Sequence, residues 1–448
     1  MSSSSSSLPL SINLIKCPHL NSYASKFNAH VKNVRADGQK YANLLNDTDV
    51  VLSDVVRGRL GTKSNGLHAY VRAGPREENF FDPKKTVAAI VTCGGLCPGL
   101  NVVIYHLYKT LVDVYSVSKV FAIRGGWQGF YNTKSLHIMT TKDTKGIQKL
   151  GGTILGTSRG GFDEEKITNV LEDNAINLLF VIGGDGTHRG AEKLFQRSKQ
   201  RGHPLSVIGI PKTIDNDIGL IDRSFGFSTS IDEAVRVIRS ARTEASSNVP
   251  NGIGIVKLMG RHAGFIAAHA TLASADVDLC LIPEISLNLN QCLEHVREVL
   301  RKNGNAVIVL AEGAGADLLL KDVDSQRTQT DASGKQPELP PIGPWFVKCL
   351  KEFLRSNKIP GGAIKYIDPS YIIRSVPANS SDSLLCMMLA QNAVHAAMAG
   401  YTGCSVGLCN NRLVLLPISK IVESSPRGVN PRGRTLERII SVTHQPKP

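Results

Sequence analysis

The chain has 448 residues, 42% hydrophobic and 20% charged, with a formal net charge of +14. That length leaves room for two or three domains, and no apolar run approaches the span of a membrane. The positive charge comes without an aromatic-interleaved basic stripe, a zinc-finger spacing or an RNA-recognition signature, so neither nucleic acid nor membrane is expected as a partner. Basic residues instead recur beside glycine loops, at Arg159, Lys212, Lys257, Arg261 and Arg374, a placement that suits a phosphorylated small molecule. Nine cysteines stand without CxxC pairs or histidines at zinc spacing, which points to a reducing compartment. Cys93 and Cys97 read as small buried fillers.

Residues 1–36 contain no Asp or Glu and include six consecutive serines after Met1. A cleaved organelle-targeting segment and plain terminal disorder both fit, and the absence of arginine before Arg35 weighs against the first. Residues 1–70 therefore read as an N-terminal extension, partly disordered, and 71–448 as the main body. From Val87 a βαβα rhythm begins, which argues for an α/β fold with a largely parallel sheet. Strands are expected at Val87–Thr92, Lys119–Ile123, Leu178–Ile182, Val207–Ile210, Gly254–Leu258, Leu279–Ile282 and Ala306–Ala311. Helices are expected at Leu100–Tyr115, Glu164–Asn174, Gly190–Gln200, Thr229–Ala245, Leu289–Lys302, Gly343–Asn357 and Asp382–Ala399. The polar stretch Lys321–Pro341 reads as an exposed insertion.

Glycine-rich motifs fall where strands end, as ligand loops do in open α/β sheets. The first strand opens into Cys93-Gly94-Gly95-Leu96-Cys97-Pro98-Gly99-Leu100-Asn101, whose glycines precede a helix N-terminus and offer free N–H groups to an anion. Arg159 sits in Gly151-Gly152-Thr153-Ile154-Leu155-Gly156-Thr157-Ser158-Arg159-Gly160-Gly161, where small neighbours leave room for a ligand. Two adjacent strands then end in Gly183-Gly184-Asp185-Gly186-Thr187 and Pro211-Lys212-Thr213-Ile214-Asp215-Asn216-Asp217. Glycines that let backbone N–H groups approach phosphate, beside carboxylates able to hold a metal or take a proton, suit phosphoryl transfer. Spacing alone leaves open which aspartate takes which task. Neither GxxxxGK[ST] nor GxGxxG occurs, so a bound nucleotide needs another cradle.

These loops resemble the ATP-dependent 6-phosphofructokinase family, in its plant and protist branch. The likeness runs from about Tyr70, where Arg72-Ala73-Gly74-Pro75-Arg76 is similar to that branch's lead-in, to about Gln445. The motif GGDGT is shared with related lipid and NAD kinases, so it is the order of several motifs that carries the resemblance. It implies two Rossmann-like three-layer domains with mainly parallel sheets and an active site in the cleft between them. It further implies Mg²⁺-dependent transfer of the ATP γ-phosphate to the 1-hydroxyl of fructose 6-phosphate, in a cytoplasmic, commonly homotetrameric and often allosteric enzyme. A plastid address stands as the alternative if the N-terminus is a transit peptide.

Residue by residue, the resemblance puts Gly95, Arg159, Gly160, Gly184, Asp185, Gly186, Thr187 and Lys212 at the nucleotide, with Asp185 on Mg²⁺. Asp215 would be the general base, supported by Asp217, with Arg159 neutralising charge on the transferring group. Thr213, Ile214, Asp215, Met259, Gly260, Arg261, Glu312, Tyr371 and Arg374 would line the sugar phosphate. There are departures. Gly252 stands nine residues before Arg261, where many bacterial members carry an arginine reaching in from a neighbouring subunit, and Lys365 replaces another bacterial arginine. Lys212 is the choice of pyrophosphate-using relatives, whereas Gly186 is the choice that admits a nucleotide. ATP is the expected donor, with pyrophosphate as the alternative and a non-catalytic homologue as the more remote one.

Overall fold

The computed structural model describes residues 12–55, 67–321 and 339–447. Residues 1–11, which hold the whole serine run, and 322–338, which hold most of the expected insertion, lie outside the described residues.

Every expected strand forms. Cys404–Cys409, Ser206–Pro211, Leu178–Gly183, Val87–Thr92 and Lys119–Ile123 lie side by side in that order, all parallel. All six residues of both Leu178–Gly183 and Ser206–Pro211 are buried, because helices cover both faces of the sheet. Alternate residues feed two cores. Ile90, Phe180, Ile182 and Ile208 pack against the helices Leu100–Lys109 and Ser380–Met398. Val91, Leu179, Val181 and Val207 pack against Glu164–Asp173 and Asp185–Arg201. A second, wholly parallel sheet runs Leu279–Leu281, Asn305–Ala311, Gly252–Leu258, Ile364–Ile367. Its faces are covered by Phe227–Ser247 and Phe265–Ser274 on one side and by Leu289–Asn303 and Ile342–Ser356 on the other. The fold is therefore the expected pair of three-layer α/β units.

Three differences from the sequence reading have physical causes. The helix expected from Gly190 starts at Asp185, because the Gly184 carbonyl already accepts the N–H groups of Thr187 and His188. Leu100–Lys109 continues not as α-helix but as a wider π-turn over Thr110–Val114. The hairpin Cys404–Cys409/Arg412–Pro417 was not foreseen. It turns on Asn410 and Asn411, at φ +48° and +57°, the left-handed pair a tight type I′ turn needs.

The described part of the N-terminal region is built into the large sheet. Ile12–Ile15 pairs with Leu67–Tyr70, and Val50–Leu52 pairs antiparallel with the same strand, which borders Arg412–Pro417. Leu20 N–H donates to Gly400 O (2.9 Å), Thr402 N–H donates to Pro18 O (3.1 Å), and the Leu20 side chain has no exposed surface. Leu20→Ala is therefore expected to cost about 2–5 kcal/mol and to lower the thermal midpoint. An unchanged midpoint would show that this segment is not part of the folded body.

Candidate active site

The donor side is built from loops zipped edge to edge. Gly94 N–H donates to Ser158 O (3.0 Å), Thr157 Oγ1 to Gly94 O (2.7 Å), and Thr92 Oγ1 to Gly156 O (2.8 Å). Asn101, in the first turn of its helix, spreads its amide over the next loop. Its Nδ2 donates to Leu150 O and Gly151 O, each at 3.2 Å, and its Oδ1 accepts from Ile154 N–H at 2.8 Å. Sequence reasoning quoted Asn101 without giving it this role, which a polar residue inside an apolar helix face could have signalled.

Gly95 is where the cations meet. A Cβ there would lie 3.7 Å from the Arg159 guanidinium and 3.8 Å from that of Arg374, and Lys212 Nζ donates to Gly95 O at 2.8 Å. Lys212 is buried, and burial, helped by Arg159, holds its amine below the usual range while Cys97, Cys93 and Asp215 pull the other way. Lys212 N–H donates to Gly183 O (2.9 Å), so the two motif-bearing strands end side by side. Beyond Gly184, Asp185 opens the next helix and forms an ion pair with Arg189 one turn later. Its Oδ1 is buried and has no hydrogen-bond partner among the described residues. Nothing lies within 4 Å of a Cβ built at Gly186. Thr187 is turned down against Gly183 and buried, so it braces the turn from below. Cys93 and Cys97 are the buried fillers expected, with burial pushing the Cys93 thiol up to about 12.

On the other side Asp215 N–H donates to Thr213 Oγ1 (3.1 Å), and Thr213 O accepts from Ser224 Oγ (2.5 Å). Asn216 sits at φ +55°, held by Ser224 N–H on its Oδ1 (3.0 Å). Burial raises the Asp215 carboxyl to about 7, with Asp217 and Glu312 pushing the same way and Lys212 and Arg374 opposing them. Its Oδ1 is buried and unpartnered among the described residues. Ile214 differs from expectation: its side chain is packed in the core, leaving only its backbone to face a ligand.

The second sheet supplies the remaining groups. Glu312 N–H donates to Leu258 O (2.9 Å) and Gly313 N–H to Gly260 O (3.1 Å), which stitches two strand ends together. Gly260 stands at φ +130°, which a side chain would rarely adopt, and this bend carries the chain from Met259 to Arg261. Arg261 feels both sides: burial lowers its pKa, Glu312 raises it and Arg159 lowers it. Lys257 pairs with Asp368 across neighbouring strands (2.7 Å). The Arg374 guanidinium lies 5.0 Å from the centre of the Tyr371 ring, and Tyr371, 73% exposed, stands at the rim. At Gly252 a Cβ would run into the Ala245 carbonyl, so that strand start is closed to an arginine. Lys365 is exposed. Gly160 keeps the Arg159 loop turning at φ +73°.

The raised Asp215 carboxyl has a stability consequence. The neutral form is favoured in the fold, so its contribution is complete below the ordinary carboxylate range and lost as pH rises through about 7. Asp215→Asn is expected to raise the thermal midpoint at about pH 8, with the gain shrinking towards about pH 5. A pH-independent difference would contradict this.

A family model described as Phosphofructokinase matches residues 87–397. The ATP-dependent 6-phosphofructokinase 7 of Arabidopsis thaliana is 48% identical over 384 residues, 85% of this chain and 78% of the relative. The chloroplastic ATP-dependent 6-phosphofructokinase 4 of the same organism is 43% identical over 436 residues, 96% of this chain and 81% of the relative. Among solved structures, a pyrophosphate-dependent phosphofructokinase from Marinobacter aquaeolei shares the fold with a TM-score of 0.65 at 21% identity, over 81% of this chain and 92% of that one. On sequence, fold and site together, the chain belongs to the phosphofructokinase family.

Proposed function

We propose that this chain transfers the γ-phosphate of ATP to the 1-hydroxyl of fructose 6-phosphate, giving fructose 1,6-bisphosphate and ADP. The observation that carries the reading is the Asp215 carboxyl. It is tuned to about 7 and stands where the donor-side loops and the sugar-side cations meet. A carboxylate with that affinity takes the proton of the attacking hydroxyl at neutral pH. Arg159, Arg374 and Lys212 stand around Gly95 and compensate the charge that moves between donor and acceptor. Arg261 offers a guanidinium fork to the 6-phosphate, and Glu312 accepts from sugar hydroxyls.

Asp185 fits a magnesium site: it has a buried, unpartnered Oδ1 beside a phosphate-accepting glycine turn. Among the described residues no cluster of three metal-ligating side chains occurs, which suits an ion that keeps waters and takes phosphate oxygens. When bound, Mg²⁺ would neutralise charge on the β- and γ-phosphates. Gly186 supports ATP over pyrophosphate, because the open space above it admits a nucleotide where an aspartate would repel the α-phosphate. The described residues of the acid-poor N-terminal segment are built into the fold, which speaks against cleavage within 12–36. Assembly as a homo-oligomer, with four copies common in the family, rests on the family resemblance alone.

An assay of fructose 1,6-bisphosphate formation from fructose 6-phosphate, which reads both donors alike, with ATP and pyrophosphate compared, tests the reading. Activity with ATP is expected, falling as pH drops below about 7, where Asp215 takes up its proton. Asp215→Ala is expected to lower kcat by about 10²–10⁴-fold. Gly186→Asp, which the open space accommodates, is expected to fold and to lose use of ATP. Turnover with pyrophosphate alone would reverse the donor, and inactivity with both would remove the function.

A further inference from the structure

The segment Ser424–Val429, far from every motif above in sequence, is laced to both halves of the site. Gly219 N–H donates to Ser425 Oγ (2.9 Å), and Gly219 packs so closely on the Ser424 carbonyl that no side chain fits there. Arg427 makes two bonds to the run that holds the candidate base and a third just beyond it. Its backbone N–H donates to Asp217 O (2.7 Å), its Nε to Asn216 O (3.0 Å), and its Nη2 to Asp222 O (2.9 Å). Its guanidinium also lies over the ring of Phe265, 5.5 Å from the centroid. Phe265 opens the helix that follows Met259-Gly260-Arg261. Two residues further, Val429 N–H donates to Glu284 Oε1 (2.6 Å), and the same carboxylate accepts Gly264 N–H at 2.9 and 3.1 Å. One short segment thus touches the aspartate run of the large sheet and the helix start of the small one.

The aspartate run needs such a hold. Asn216 separates Asp215 from Asp217 in the left-handed region, which asparagine tolerates but does not by itself keep to, so its surroundings fix the choice. Ser224 fixes the Asn216 side chain and Arg427 fixes its carbonyl. With both ends of that residue pinned, the directions in which Asp215 and Asp217 leave the backbone are set. A guanidinium suits the task because its planar fork holds two carbonyls in fixed directions and still stacks on an aromatic face, whereas an ammonium is a compact point charge with no flat face to stack.

We propose that Arg427 is a positioning residue for phosphoryl transfer. It fixes the aim of the Asp215–Asp217 run and ties that aim to the sugar-side helix through Phe265. The inference rests on the function proposed above, and the two fail separately. Wild-type turnover tests the function, whereas the ratio of variant to wild type tests Arg427.

The experiment is steady-state kinetics on the full chain, wild type against Arg427→Ala and Arg427→Lys, with fructose 6-phosphate and ATP varied. A loosened base lowers kcat by about 10²-fold in Arg427→Ala, since a misplacement near 1 Å has that effect, while KM for ATP stays within about two-fold. Arg427→Lys falls between, and free guanidinium restores part of kcat to Arg427→Ala. A purely structural role would give a different pattern: kcat per folded molecule, corrected by circular dichroism, would equal that of wild type, and guanidinium would change nothing. Either of those results overturns the proposal. If Arg427→Ala does not fold, Arg427→Lys carries the comparison alone: reduced kcat at wild-type thermal stability supports the role, and wild-type kcat overturns it.

Discussion

The constraint on which this site depends is the cost of charging Asp215. The carboxylate sits where burial disfavours ionisation and where Asp217 and Glu312 repel it, so by itself it would stay neutral at working pH. Lys212 and Arg374 oppose those effects and bring it back to about 7. Too little counter-charge would leave the group protonated and useless as a base. Too much would leave a carboxylate too weakly basic to accept a proton. The cations themselves are held by what surrounds them: Lys212 by the Gly95 carbonyl, Arg374 by the face of Tyr371.

Both sheets are needed for that balance. The large one brings Lys212 and Asp215 to one strand end and the Asp185 turn to its neighbour. The small one brings Glu312, Arg261 and, beyond Ile364–Ile367, Arg374. Glycines matter here for what they let approach. Gly95 lets two guanidinium groups close on one backbone position, and Gly260 makes the bend between strand and arginine. The C-terminal segment with Arg427 completes the link, bridging parts of the chain more than 200 residues apart, since Arg427 and Asn216 are separated by 211 positions.

Much of this was legible in the sequence because it was local. Leu178–Gly183 and Ser206–Pro211 are unbroken apolar runs, as strands covered on both faces must be, and the glycine motifs follow them directly. What escaped was either ambiguous in period or distant. Phe265–Ser274 is apolar around most of its surface and shows no amphipathic stripe, so a helix after Arg261 is expected without fixed ends, and Gly264 caps it rather than lying within it. The extra strands at Ile12–Ile15 and Val50–Leu52 are short and half-exposed, and only their partner strand makes sense of them. Ile214 sits between two site residues yet points into the core, an alternation invisible in a motif read as a string. Arg427 lies in a stretch, Ser-Pro-Arg-Gly-Val-Asn, that reads as an ordinary loop.

The central claim is that one carboxyl in this molecule is held neutral until near pH 7, and a direct titration tests it. Carbon-13 NMR of protein labelled at aspartate carboxyl carbons, compared with Asp215→Asn, follows each group through pH without reference to catalysis. The account predicts a resonance that titrates at about 7 and is missing from the variant. If every aspartate carboxyl is already ionised by about pH 5, the ordinary range for such groups, the account of Asp215 as the tuned base is wrong.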